Sequence, residues 1–164
     1  MKYYSLILWL GLQMGLPQAK AENLPSDKFN FLVQALNLKD ISSEYVVVNV
    51  WSPNCEPCGK EVGQLNQIFS QDKNLENKIS IVGTPVDGRK KETDEFIAYF
   101  KPLYQQAYLS TAAKDQLFKI GRTPFTILFN KKRNLVQEWT GSIMAIDLIS
   151  AITKQERPHN ENER

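Results

Sequence analysis

From Tyr45 to Trp51 the chain reads Tyr-Val-Val-Val-Asn-Val-Trp, a β-branched and aromatic run with one polar interruption, Asn49. So continuous a run predicts a strand buried on both faces. It ends at the turn cluster Ser52-Pro53-Asn54, after which Val62, Leu65, Ile68 and Phe69 recur at helical spacing, predicting a helix from Cys55 to about Phe69. Ile79–Val82 predicts a second buried strand, ended by the loop Thr84-Pro-Val-Asp-Gly88. Farther on, Phe125–Asn130 and Leu135–Thr140 are strand-like runs separated only by Lys131-Lys-Arg-Asn134, a connection that implies an antiparallel hairpin.

Four more helices are expected. Ser26 or Asp27 caps the first, which runs to about Leu38 with Phe31, Leu32, Ala35 and Leu36 on one face. Thr93 caps the next, with Asp94 and Glu95 in its first turn and Pro102 stopping it. After a short extended piece within Tyr104–Leu109, Ser110 or Thr111 opens a helix to about Phe118 that Gly121 closes. The last spans Ala145–Lys154, with Ile146, Ile149 and Ile152 inward.

The N-terminus carries Lys2, an apolar run from Tyr3 to Leu12, and Ala19-Lys20-Ala21, the order of a secretory signal cut after residue 21. An uncleaved N-terminal anchor facing the periplasm is the alternative. Residues 22–154 are then expected to form one domain, and 155–164 a disordered polar tail. Removing 1–21 takes away Lys2 and Lys20 and leaves 18 basic against 18 acidic residues, a balance that speaks against nucleic acid as a partner. Arg89-Lys-Lys91 and Lys131-Lys-Arg133 read as solvated loops, and Trp139 and the Phe and Tyr positions between 96 and 108 as core.

The chain has two cysteines, Cys55 and Cys58. A disulfide used for stability closes a long loop, and a ring this short constrains little. Half of a zinc site is the other reading, but a closed site needs four ligands and the one further soft candidate is His159 in the tail. The spacing therefore points to a redox pair. At a helix N-terminus unpaired backbone N–H groups and the helix dipole favour thiolate, which makes Cys55 the nucleophile and Cys58, one turn on, the resolving thiol. Pro57 falls within the first turn, where its missing N–H costs little.

The segment Val48-Asn-Val-Trp-Ser-Pro-Asn-Cys-Glu-Pro-Cys-Gly-Lys-Glu61 resembles the TlpA/ResA-like branch of the thioredoxin superfamily, and Cys-Glu-Pro-Cys the ResA version of its motif. Gly121-Arg-Thr-Pro-Phe-Thr-Ile-Leu-Phe-Asn130 is similar to the family's second signature. The chain departs from the pattern at Gly63, where a proline is common, and at Asn54, where an aromatic residue is. The resemblance implies an α/β, thioredoxin-like fold: a single domain with a central mixed β-sheet flanked by helices. It further implies that Pro124 is a cis-proline against the cysteine pair, leaving the Thr123 backbone free for an extended substrate segment, and that Trp51 and Pro57 belong to the substrate surface. Glu61 resembles the glutamate placed beside the pair, assisting deprotonation of Cys58, while Asn49 stands where thioredoxins proper carry an acid. Glu56, inside the motif, is expected to tune potential or partner choice.

The function expected from these residues is an exported thiol–disulfide oxidoreductase that needs no cofactor beyond the redox-active Cys55–Cys58 disulfide. Its first reading is a monomeric periplasmic reductase of exported proteins, apocytochrome c haem-binding cysteines among them, fed by a membrane electron donor or acceptor. A dithiol oxidase that installs disulfides, and a non-enzymatic binding or chaperone module, are the alternatives. Loss of either cysteine would favour the last; both are present.

Overall fold

The computed structural model describes residues 27–71 and 73–157, so the expected leader and most of the expected tail lie outside the described residues. Five strands form one sheet in the order β3-β2-β1-β4-β5, with β1 Tyr45–Trp51, β2 Ile79–Pro85, β3 Gln105–Gln106, β4 Phe125–Phe129 and β5 Leu135–Thr140. β1 runs parallel to β2 and antiparallel to β4, and the β4–β5 pair is the expected antiparallel hairpin. The helices are α1 Asn30–Ala35, α2 Glu56–Gln71, α3 Lys73–Lys78, α4 Lys90–Phe100, α5 Thr111–Ile120 and α6 Ala145–Glu156.

Every residue of β1 is buried, as its unbroken apolar run requires. Alternate side chains serve two cores. Val46, Val48 and Val50 pack with Leu32, Leu117 and Ile127 on one face, and Val47 with Leu65, Ile68 and Leu148 on the other. Each fully buried aliphatic side chain stabilises the fold by about 1.5–3 kcal/mol, so this strand is the structural axis of the domain. Asn49 lies on the second face, where a polar side chain needs a partner from α2 or its neighbours.

Several expectations need correction. The first helix is shorter: a 3₁₀ turn Asp27–Phe29 leads into α1, and Asn37 at φ 50° ends the segment. Leu32 is buried and Phe31 and Leu36 pack half-buried against the same core as expected, but Phe29 and Val33 join them and Ala35 is exposed. β2 continues through Thr84 and Pro85, which sequence assigns to a loop, because it stays paired with Val50 and Trp51 of β1. α4 begins three residues before Thr93: Glu92 accepts from the Arg89 N–H at 2.9 Å, and Thr93 is buried inside the helix. α3 has no counterpart in the sequence reading. α6 runs two residues past Lys154 and turns Ala145, Leu148 and Ile152 inward, leaving Ile146 57% exposed.

Two surface assignments also change. Tyr99 and Tyr108 are exposed, whereas Phe96 and Tyr104 are core. Arg133 is buried: its guanidinium donates to the carbonyls of Leu38 at 2.8 Å, Asn130 at 3.0 Å and Ser43 at 3.3 Å, and to that of Ile41. It ties the hairpin turn to the segment before β1, and it is not part of a solvated basic loop.

Candidate functional site

The turn after β1 is built by short-range backbone bonds. Cys55 N–H donates to Ser52 O at 3.2 Å, Asn54 N–H to Ser52 Oγ at 3.3 Å and Cys58 N–H to Cys55 O at 3.0 Å. From the other side Val86 N–H donates to Trp51 O at 3.0 Å, and Gly88, at φ 84°, packs against the Pro53 ring, where a Cβ would collide. Cys55 therefore stands at the N-terminal end of α2, with Pro57 in its first turn.

Cys55 and Cys58 are joined by a disulfide, and Cys58 N–H donates to Cys55 Sγ at 3.2 Å. The two sulfurs have different surroundings. Cys55 is half-buried at the edge of a cleft, while Cys58 is 1% exposed in a cluster with Trp51, Val62 and Phe96. The cleft has a volume of about 560 Å³; Val50, Val86, Leu117 and Phe125 line it within, and Phe118 and Arg122 border it. Pro57, Glu56 and Thr123 line it too. The Thr123–Pro124 peptide is cis, and Thr123 precedes the sheet ladder, which begins at Phe125.

Glu61 is fully buried on α2, one turn beyond Cys58, so the two side chains share the face turned toward the sheet. Its Oε1 accepts from Thr126 Oγ1 at 3.0 Å and from the Ile143 N–H at 3.3 Å, and its Oε2 from Asn49 Nδ2 at 2.8 Å. Burial pushes its pKa up to about 7, and the bonds from Thr126, Ile143 and Asn49 oppose that shift. The exposed-helix reading of Glu61 is thus excluded. A carboxyl that ionises near neutrality one turn from a buried thiol is suited to exchange a proton with it.

Glu56 is solvent-exposed and paired with Lys60 at 2.9 Å, which lowers its pKa through that hydrogen bond and charge. Trp51 requires a correction. It is 1% exposed, stacks on Phe96 at 4.3 Å, and donates from Nε1 to Gln106 Oε1 at 3.1 Å. Its ring thus supports the cysteine turn from beneath and offers no face to a substrate, because β3 and α4 cover it. Among the described residues no group of three or more His, Cys, Asp and Glu side chains is placed to hold a metal ion, and no helix is long and apolar enough to cross a membrane.

Sequence reasoning missed Thr126 and Tyr104, which complete the polar cluster, and Phe118 and Arg122 at the cleft. A lone Asn49 in an apolar strand was a legible sign that a buried polar partner exists. Nothing local marks Tyr104, which reaches Asn49 across 55 residues of chain.

Known proteins resemble this chain in sequence and in structure. Thiol-disulfide oxidoreductase ResA of Oceanobacillus iheyensis is 25% identical over 112 residues, 68% of this chain and 57% of that protein. The chain thus spans less than two thirds of that relative's length. Among solved structures, the thioredoxin domain of a thiol-disulfide oxidoreductase from Bacteroides vulgatus superposes with a TM-score of 0.59 at 25% identity, covering 73% of this chain and 84% of that one. StoA from Bacillus subtilis, at 17% identity, shares the fold with a TM-score of 0.58 over 68% of this chain and 84% of its own. Residues 43–135, more than half of the chain and including the cysteine turn, Glu61 and the cis-proline, match the thioredoxin-like family model, and the chain belongs to that family.

Proposed function

We propose that this protein is a thiol–disulfide oxidoreductase that acts on exported proteins, working first as a reductase. The observation that carries this reading is the asymmetry of the Cys55–Cys58 pair: one sulfur at the mouth of a cleft at a helix N-terminus, the other buried one turn from Glu61. In the dithiol form the Cys55 thiolate attacks one sulfur of a substrate disulfide. The Cys55–substrate bond forms as the substrate S–S bond breaks, and one substrate sulfur leaves as thiolate. Cys58 gives its proton to Glu61 and attacks Cys55 Sγ, expelling the second substrate thiolate. The pair ends as the disulfide seen here, having passed two electrons to the substrate.

Thr123 supports the substrate side of this reading, because its backbone lies outside the sheet ladder at the cleft and is free to pair with an extended segment. Apocytochrome c haem-binding cysteines are the proposed substrate class, a membrane electron donor the partner that regenerates the dithiol, and the periplasm the compartment, as the resemblance of the cysteine motif implies; the ResA relatives support the thiol–disulfide exchange itself. The oxidase direction uses the same atoms in reverse, and a chaperone module would need neither cysteine.

Two measurements test the proposal. Cys55→Ser and Cys58→Ser should each abolish catalytic turnover of a protein disulfide while preserving the fold. In the native compartment a Cys58→Ala variant should capture substrates as mixed disulfides on Cys55. Retained turnover in either Ser variant would overturn the enzymatic reading, and capture of proteins that are disulfide-bonded in the wild-type cell and carry free dithiols when this protein is absent would reverse the direction.

A further inference from the structure

The Asn49 carboxamide has one donor end and one acceptor end, and both are engaged inside the protein. Its Nδ2 donates to Glu61 Oε2 at 2.8 Å and reaches Thr126 Oγ1 at 3.4 Å. Its Oδ1 accepts from the Tyr104 hydroxyl at 3.1 Å. Tyr104 comes from the loop between α4 and β3 and is 8% exposed. Among the described residues, Asn49 is the acceptor of its hydroxyl proton.

This chain of bonds has a direction. An ionised Glu61 only accepts, so the NH₂ end of Asn49 must face it, and the Tyr104 hydroxyl must then donate to the carbonyl end. With the carboxamide reversed, Oδ1 would accept from a protonated Glu61. Nδ2 would then point at the phenol, whose own proton would lose its acceptor in the interior. The first arrangement satisfies every donor; the second leaves one unpaired. Burial, and after it the charge of Glu61, hold the Tyr104 phenol well above its ordinary range, so it remains a donor.

We propose that Tyr104 is a positioning residue: its hydroxyl holds the Asn49 carboxamide with the NH₂ end toward Glu61 and thereby favours Glu61 as a carboxylate. The effect on Glu61 stands on this geometry alone, while its use in turnover rests on the reading of Glu61 as the acceptor of the Cys58 proton. The other groups that face Glu61 act on it without passing through Tyr104, although two of them favour the carboxylate as Asn49 does. Thr126 from β4 and the Ile143 N–H before α6 are neutral donors on Oε1, and Cys58, the nearby titratable group on its own helix, is in the disulfide. Gln64, one turn on, is neutral and occupied with the Ala145 N–H at 3.4 Å. No Lys, Arg, His or second carboxylate among the described residues acts on Glu61.

The test is the titration midpoint of the Glu61 carboxyl, read by carbon NMR in protein with labelled glutamate and in the disulfide form, where no thiol interferes. Tyr104→Phe keeps the ring and removes the hydroxyl; the midpoint should rise by about one unit, a tenfold change in proton affinity. In an Asn49→Ala background the same replacement should move nothing. Should Tyr104→Phe fail to fold, 3-fluorotyrosine placed at position 104 keeps hydroxyl and size, donates more strongly, and should lower the midpoint. A Tyr104→Phe or fluorotyrosine midpoint equal to that of the wild type, or an equal rise with Asn49 absent, overturns the proposal. A second reading separates the two claims. If the NMR midpoint moves and the pH profile of mixed-disulfide resolution moves with it, both stand. If the NMR midpoint alone moves, Tyr104 positions Glu61 as stated and it is the role of Glu61 as base that fails.

Discussion

Asn49 Nδ2 stands 2.8 Å from Glu61 Oε2, so a strand carboxamide and a helix carboxylate meet inside the protein with neither reached by solvent. In the sequence the two are separate features, a polar interruption in an apolar strand and a helix acid after the motif. In the fold they are halves of one arrangement, and the titration of Glu61 follows from it.

Stability should therefore depend on pH through Glu61. Its folded pKa of about 7 lies above the ordinary 4.5, so the folded state keeps a proton that the unfolded chain releases. Nothing is lost below pH 4.5; stability falls as pH rises from there through 7 and levels off above it, a loss of about 3 kcal/mol in total. Glu61→Gln stays neutral throughout and should not show this fall. Denaturant midpoints of both proteins between pH 4 and 8 check it, and parallel curves would mean that Glu61 titrates as an ordinary surface acid.

Glu61→Gln should also slow resolution of the mixed disulfide, by a factor near 10², the lower end of general-base contributions, because a thiol is already fairly acidic. Initial attack by Cys55 should change much less. Rapid-quench alkylation with mass measurement should then find an accumulating mixed disulfide in the variant. Resolution at the wild-type rate across pH 6–8 would exclude Glu61 as the base.

In the reduced protein Cys55 should alkylate well below the pH at which an ordinary thiol reacts, and Cys58 should react slowly at every pH. Exposure and the helix terminus act on the first sulfur, while Trp51, Val62 and Phe96 enclose the second. Peptide mapping after timed alkylation measures both rates, and equal rates would remove the assignment of nucleophile and resolver.

Gly59→Ala should destabilise the protein by about 1–3 kcal/mol, against the usual gain for alanine in a helix, because the new Cβ would enter the Phe100 ring. Phe100 packs on Phe96, the ring that stacks on Trp51, so the strain reaches the support of the cysteine turn. Thermal melts of Gly59→Ala and of Gly59→Ala with Phe100→Leu should show the second change restoring part of the loss.

Phe118, 53% exposed on α5, borders the cleft that opens at Cys55. Phe118→Ala should leave alkylation of Cys55 by a small reagent unchanged and raise KM for a protein disulfide several-fold, with kcat little altered, because it removes contact area without touching the sulfurs. An unchanged KM would mean that the substrate does not enter the cleft on the α5 side.

The sequence by itself determined the features that depend on neighbours along the chain. The buried strand Tyr45–Trp51, the turn, the helix carrying Cys55 and Cys58, and the hairpin all follow from residue period, turn chemistry and a short connection, which act within a few residues. Element ends were less legible: β2 extends to Pro85 because β1 stays beside it, and α4 starts early because Glu92 reaches back to Arg89. Helix faces were placed only in part: Ala35 of α1 and Ile146 of α6 are exposed while Val33, Ala145 and Leu148 turn inward, since period alone does not say which edge of an apolar stripe meets the sheet. Only the tertiary structure decided that Trp51 is core, that Arg133 is a buried clasp, and that Asn49, Thr126, Tyr104 and Glu61 meet. The reason is physical: a pKa shift and a buried hydrogen bond depend on what lies within a few ångströms, and here those neighbours come from two strands, a helix and two connecting segments scattered between residues 49 and 143.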